Sequence, residues 1–194
     1  VDFRKPTSGN VADANSSTAV GRKAAFLLNN GTIVDLDGVT PLSVELSKQG
    51  AGFMSIRHRN HLAIISNSLP SNSSGTFTND FSLLTGVYDN PLLSNDPVQV
   101  LPGSVPTKYG LWAGNANKDN GVNNSDIGLI KANANASLTG YVYGDVNMDA
   151  GVNNSDVGLA KASANGAART HSARGTAVII NAANKEPKSH CPTN

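Results

Sequence analysis

Residues 144 to 156 read GDVNMDAGVNNSD, and residues 114 to 126 read GNANKDNGVNNSD. The likeness continues through VGLAKASANG and IGLIKANANA, so a unit of about two dozen residues is written twice in tandem. Oxygen-bearing side chains recur inside each copy at a fixed interval. With Asp145 as the first position of a twelve-residue loop, Asp145, Asn147 and Asp149 stand at positions one, three and five. Gly151 offers a backbone carbonyl at seven, Asn153 stands at nine and Asp156 closes the loop at twelve. The first copy supplies Asn115, Asn117, Asp119, the Gly121 carbonyl, Asn123 and Asp126 in the same places. This is the spacing of an EF-hand calcium loop, in which hard oxygens alternate with spacers and the last carboxylate comes from the helix that follows. No His or Cys lies in either copy, which leaves zinc and copper without their preferred ligands. Magnesium rarely receives a cage with so many protein oxygens. Two Ca2+ sites are therefore expected.

The copies differ in charge and in their turn residues. The second has three carboxylates, Asp145, Asp149 and Asp156, and the first has two, Asp119 and Asp126, with neutral Asn115 at position one. On charge alone the second site should bind more tightly, and the first should fall toward the roughly 0.1 to 1 mM range of extracellular modules. The glycine that EF-hands place at position six is Asn120 in one copy and Ala150 in the other, with Gly121 and Gly151 one place later. A left-handed Ala150 costs about 1 kcal/mol or more.

GDVNMDAGVNNSDVGLAKASANG resembles a dockerin type I repeat, a calcium loop followed by a single helix, and dockerins carry two such units in tandem. The resemblance covers residues 114–166. It implies that loop positions ten and eleven, here Asn124, Ser125, Asn154 and Ser155, face a cohesin-like partner. Gly128 and Gly158 weaken the two helices this implies.

Before the repeats the chain reads as β structure. In AAFLLNNGTIVDLDGVTPLSVEL, apolar runs flank Asn30-Gly31 and Asp37-Gly38, dipeptides that favour tight hairpin turns. FMSIRHRNHLAIIS alternates over residues 53–66 and reads as one long strand, with His58 and His61 on opposite faces. On such a strand the two histidines cannot share a metal without help, and Arg57, His58, Arg59, Asn60 and His61 read as a structural run whose arginines pair with nearby acids, with an anion or glycan contact as the alternative. Val1 to Arg4 and Ala177 to Ile180 are short apolar runs able to join the same sheet or a neighbour's. Residues 67–107, rich in Ser, Asn, Gly and Pro, read as a connector packed on the sheet.

GTIVDLDGVTPLSV, SIRHRNHLAIIS and LWAGNANKDN are also similar to a carboxy-terminal haemagglutinin- or adhesin-like module of secreted bacterial surface proteins. That resemblance implies an Ig-like β region ahead of dockerin-type loops and a noncatalytic, extracellular role.

The expected organisation is a mainly β protein. An Ig-like β-sandwich with its connector occupies 1–107, a dockerin-like loop-helix calcium segment 108–166, and a tail with one further strand 167–194. Composition agrees: of 194 residues only 15% are charged and 5% aromatic, which suits short strands joined by polar turns. A net charge of +1 gives no basic footprint for nucleic acid, and no apolar run is long enough for a membrane span. The chain opens on Val1, as a processed or excised polypeptide does, and its lone Cys191 excludes an internal disulfide. No nucleophile motif, phosphate-cradling loop or acid–base carboxylate pair is present, so no enzyme is expected. The functional expectation is a secreted, calcium-stabilised cell-surface protein that makes protein contacts, by self-association or with another surface protein. A cohesin-binding tether and a carbohydrate-binding accessory domain are the alternatives.

Overall fold

The computed structural model describes residues 1–47, 51–67 and 76–166. Its strands are β1 (Asp2–Arg4), β2 (Ala19–Arg22), β3 (Phe26–Leu27), β4 (Ile33–Val34), β5 (Phe53–Ile56), β6 (Ile64–Ile65), β7 (Gln99–Leu101) and β8 (Lys108–Gly110). Two helices follow, α1 (Asn124–Asn135) and α2 (Asn154–Asn165). The protein is thus β-rich. One sheet has four strands in the order β2-β1-β5-β6, and β3-β4 and β7-β8 form two-stranded ribbons.

The strand nearest the amino terminus lies inside the sheet. β1 pairs antiparallel with β2 (Phe3 opposite Gly21) and with β5 (Phe3 opposite Met54), and its three residues are all buried. A central strand leaves Asp2 with no water to face, and three guanidinium groups compensate: Arg22 Nε at 2.7 Å, Arg4 Nη2 at 3.4 Å and Arg57 Nε at 3.5 Å. Burial alone raises the Asp2 carboxyl, but the Arg22 hydrogen bond and the three positive charges together hold it below the ordinary carboxylate value.

Both expected turns form. Leu28 N–H donates to Thr32 O across the β3-β4 ribbon, with Gly31 at φ 86°. Asp35 N–H donates to Thr40 O with Gly38 at φ 77°. These are the left-handed conformations for which glycine has no steric penalty. The long strand expected over residues 53–66 does not form. β5 stops at Ile56, residues 57–60 turn, and the chain returns as β6 with Ile56 opposite Ile64. Asn60 is fully buried in this turn, where its carbonyl and its side-chain amide meet remote backbone, and Ile64 and Ile65 supply the second strand's apolar pair instead.

Those two isoleucines seat the sheet between layers. Ile65 joins Ala14 and Phe53 on one side, and Ile64 joins Val87 and Val98 from the connector on the other. The connector therefore packs on the sheet as expected, and it also contributes β7. The largest core lies beyond β8. It gathers Ala116, Val122, Ile127 and Ile130 from the first repeat with Val146, Val152, Val157 and Ala160 from the second, plus Leu62 and Ala113. Ala177 to Ile180 and Cys191 lie outside the described residues.

Candidate metal centre

The two repeats adopt one design. Loop residues 115–126 and 145–156 each run into a twelve-residue helix, α1 or α2. The helix begins where it does because position nine is its N-cap: Asn123 Oδ1 accepts from Ser125 N–H at 2.8 Å, and Asn153 Oδ1 from Ser155 N–H at 2.8 Å. Position twelve completes a capping box, with Asp126 Oδ2 accepting from Asn123 N–H and Asp156 Oδ2 from Asn153 N–H, each at 2.9 Å. The other oxygen of each closing carboxylate reaches back to the start of its loop. Asp126 Oδ1 accepts from Asn117 N–H at 3.0 Å, and Asp156 Oδ1 from Val146 N–H at 2.7 Å and Asn147 N–H at 3.1 Å. Each loop is thereby closed on itself.

The repeats also lock each other. Gly114 precedes the first loop, and a Cβ there would lie 2.8 Å from Ala160 Cα of α2. Gly144 precedes the second, and a Cβ there would lie 2.9 Å from Asn133 Cβ of α1. Each unit's opening glycine is thus a contact point for the other unit's helix. Apolar loop residues Val122 and Val152, both at position eight, enter the shared core.

The predicted ligands are placed as follows. Asp145 and Asn115, at position one, are 3% and 5% exposed, and the closing Asp126 and Asp156 are fully buried. Asn117 with Asp119 and Asn147 with Asp149 form matching pairs on the loop surface, joined by amide-to-carboxylate hydrogen bonds of 2.8 Å. Gly121 and Gly151 donate their N–H groups to Asp119 and Asp149 Oδ1, both at 2.9 Å. Asn124, Ser125, Asn154 and Ser155 are exposed at the first turns of the helices. Among the described residues no three His, Cys, Asp or Glu side chains converge as a metal-holding group. The carboxylates of Asp145, Asp149 and Asp156 are each turned to N–H groups of their own loop. Any cation here depends on amide and backbone oxygens as much as on charge.

One such oxygen has no partner. Asn115 Nδ2 donates to Asp119 O at 3.0 Å, which fixes the amide's orientation within the loop and leaves the buried Oδ1 without a hydrogen bond. A buried acceptor left so costs about 1–3 kcal/mol unless something else meets it. The fully buried Asp126 and Asp156 differ, since both oxygens of each carboxylate are met by backbone N–H groups, but no cation among the described residues pairs with either. Backbone strain is concentrated here as well. Position four is left-handed in both loops (Lys118 φ 64°, Met148 φ 62°), and in the second loop Ala150 is left-handed at φ 71°. The expected strain at Ala150 is therefore present, while Asn120 escapes it and Gly151 does not take it over.

The turn at residues 57–60 supplies residues that the sequence pattern did not assign to this centre. Asn60, fully buried, accepts at its carbonyl from Gly114 N–H at 2.9 Å and Asn115 N–H at 3.0 Å, and its side-chain amide donates to the Asp145 carbonyl. One residue thus touches the first position of both loops. Arg59 Nη2 lies 3.6 Å from Asp145 Oδ2, with its guanidinium 3.8 Å above the Tyr141 ring. The polar-basic run was the available signal, and its placement on a strand hid the contact. The same turn overturns the opposed-histidine expectation: His58 Nδ1 and His61 Nδ1 are 3.0 Å apart, and His61 Nδ1 is also 2.8 Å from Asn60 Oδ1. Burial, then the neighbouring His58 and Arg59 charges, push His61 down to about 4.

Compared with protein-family models, curated proteins and solved structures, the chain has no match.

Proposed function

We propose that the chain is a non-enzymatic, calcium-stabilised extracellular structural or adhesion protein. In this reading the dockerin-like segment holds two Ca2+ ions beside an Ig-like β region. Asp145, Asn147, Asp149, the Gly151 carbonyl, Asn153 and Asp156 bind one ion. Asn115, Asn117, Asp119, the Gly121 carbonyl, Asn123 and Asp126 bind the other. The observation that carries the reading is the buried, unpartnered Asn115 Oδ1 at the first ligand position. The donor set fits calcium, which takes six to eight hard oxygens in flexible geometry. A bound ion would supply the positive charge that the buried Asp126 and Asp156 lack, and would offset the strain at Lys118, Met148 and Ala150. Calcium would then act structurally, with binding free energy serving as folding free energy for a segment poor in large apolar residues.

The output is a stiff surface for protein contact, by self-association or with another surface protein. Exposure of Asn124, Ser125, Asn154 and Ser155 favours a second reading, a tether captured by a cohesin-like partner through these matched helix starts. Among the described residues no helix is long and apolar enough to cross a membrane. Thermal unfolding of the metal-stripped protein tests the calcium assignment. At millimolar calcium the melting temperature should rise by several degrees, about what 1 to 3 kcal/mol produces in a chain of this size, whereas an unchanged melt rejects both sites. Light scattering with calcium and with chelator then separates assembly from a monomeric tether.

A further inference from the structure

We infer that Arg59 is a built-in counter-cation of the second calcium loop, lowering that loop's affinity toward that of the first. The inference rests on the calcium reading above and concerns how that site is tuned.

Arg59 has an unusual environment for an arginine. Its side chain is 6% exposed and Asp145's is 4%, yet its Nε and Nη1 have no hydrogen-bond partner. Hydrogen-bond geometry therefore does not explain its placement. What faces the guanidinium is charge and a ring face: the Asp145 carboxylate at 3.6 Å and Tyr141 at 3.8 Å. Both interactions are electrostatic, and both strengthen when water is excluded. The chain beside it is anchored, because the adjoining Asn60 is hydrogen-bonded to the backbone of Gly114, Asn115 and Asp145.

Among the described residues no equivalent buried cation reaches the first loop. Lys118, its nearest candidate, places its ammonium 3.7 Å over the Tyr143 ring and pairs with no carboxylate among the described residues. Position one of that loop is neutral Asn115. Counting acids alone ranks the second site well above the first; counting the cations, Lys118 within the first loop and Arg59 against the second, narrows the difference from −3 against −1 to −2 against −1. Two loops that share one core then load over overlapping calcium ranges, and the segment passes from empty to filled more nearly in one step than in two.

Calorimetric calcium titration of the metal-stripped full chain tests this, with single loops isolated by Asp119→Ala (second loop reporting) and Asp149→Ala (first loop reporting). With Arg59 present, the two dissociation constants should agree within about tenfold. Adding Arg59→Gln should tighten the second loop by about tenfold or more, as loss of a nearby like charge in a screened site requires, and leave the first within about twofold. Arg59→Lys keeps the charge and should stay close to the parent. The inference is overturned if the second loop already binds about a hundredfold tighter than the first with Arg59 in place, or if Arg59→Gln leaves or weakens its affinity. Should Arg59→Gln fail to fold, the comparison of Asp119→Ala with Asp149→Ala decides alone. Absence of calcium binding at both loops with Arg59 in place would instead remove the calcium reading itself.

Discussion

At His61 the protein holds an imidazole against two hydrogen-bonding neighbours and a buried arginine. Burial, first, and the charges of His58 and Arg59 lower its pKa to about 4, and the His58 pKa is lowered in the same direction by burial and Arg59. A histidine whose folded pKa lies below its unfolded value contributes stability that is complete above the unfolded pKa, near 6.5, and declines as pH falls toward the folded value. Between pH 7 and pH 5 the unfolded chain takes up a proton that folded His61 refuses, which amounts to about 2 kcal/mol of lost stability. Urea unfolding midpoints at the two pH values should differ accordingly. His61→Gln should flatten the dependence over this window, and an equally steep variant would show that the pH response arises elsewhere. Because this turn also holds Asn115 and Asp145, mild acid should loosen both loops together with the sheet.

At the scale of the element, helices α1 and α2 are short, and each has a glycine on its solvent face. A Cβ at Gly128 or Gly158 would meet nothing within 4 Å, and neither has a left-handed φ. These glycines therefore weaken the helices without a packing reason. Gly128→Ala and Gly158→Ala should each stabilise the protein by about 0.5 to 1 kcal/mol, read as a rise in melting temperature with calcium held constant. Gly114→Ala should do the reverse, since its Cβ would meet the α2 backbone at 2.8 Å and its φ is 103°. A stable, calcium-responsive Gly114→Ala variant would contradict the interlocked packing. The contrast shows what the sequence could convey. The tandem loops and the hairpins were legible because they depend on residues close in the chain: Gly31 makes its own turn, and Asn123, read only as a loop residue, also caps the helix that its loop runs into. The reason each repeat opens on glycine was not legible, since it lies in the other repeat's helix. The strand expected over residues 53–66 failed for a related reason. Alternation described the composition of the run, but the partners of Asn60, namely Gly114, Asn115 and Asp145, are remote in the chain, and they favour a turn.

For the whole molecule, the decisive feature is that the β region and the repeat pair are joined through buried groups. Leu62, fully buried, belongs to the core of the repeats, although the strand it precedes, β6, belongs to the sheet. Its N–H donates to Trp112 O at 2.9 Å, and His61 bridges to Ala113, so residues 60–62 run as a short antiparallel ladder against 112–114. Stabilisation gained in the loops should therefore reach the sheet. Native-state hydrogen exchange can follow this, because amides open either locally or with their cooperative unit. In the wild type, calcium should raise protection at Ile56, Ile65 and Ser66, whose amides lie in or beside the sheet ladder, as well as in α1 and α2. Leu62→Ala should cost about 2 to 5 kcal/mol through the cavity it leaves, and it should confine the calcium-dependent protection to residues 114–166. If the sheet amides of the wild type ignore calcium while the helices respond, the ladder is a contact without coupling, and the repeats act as an independent unit attached to the β region.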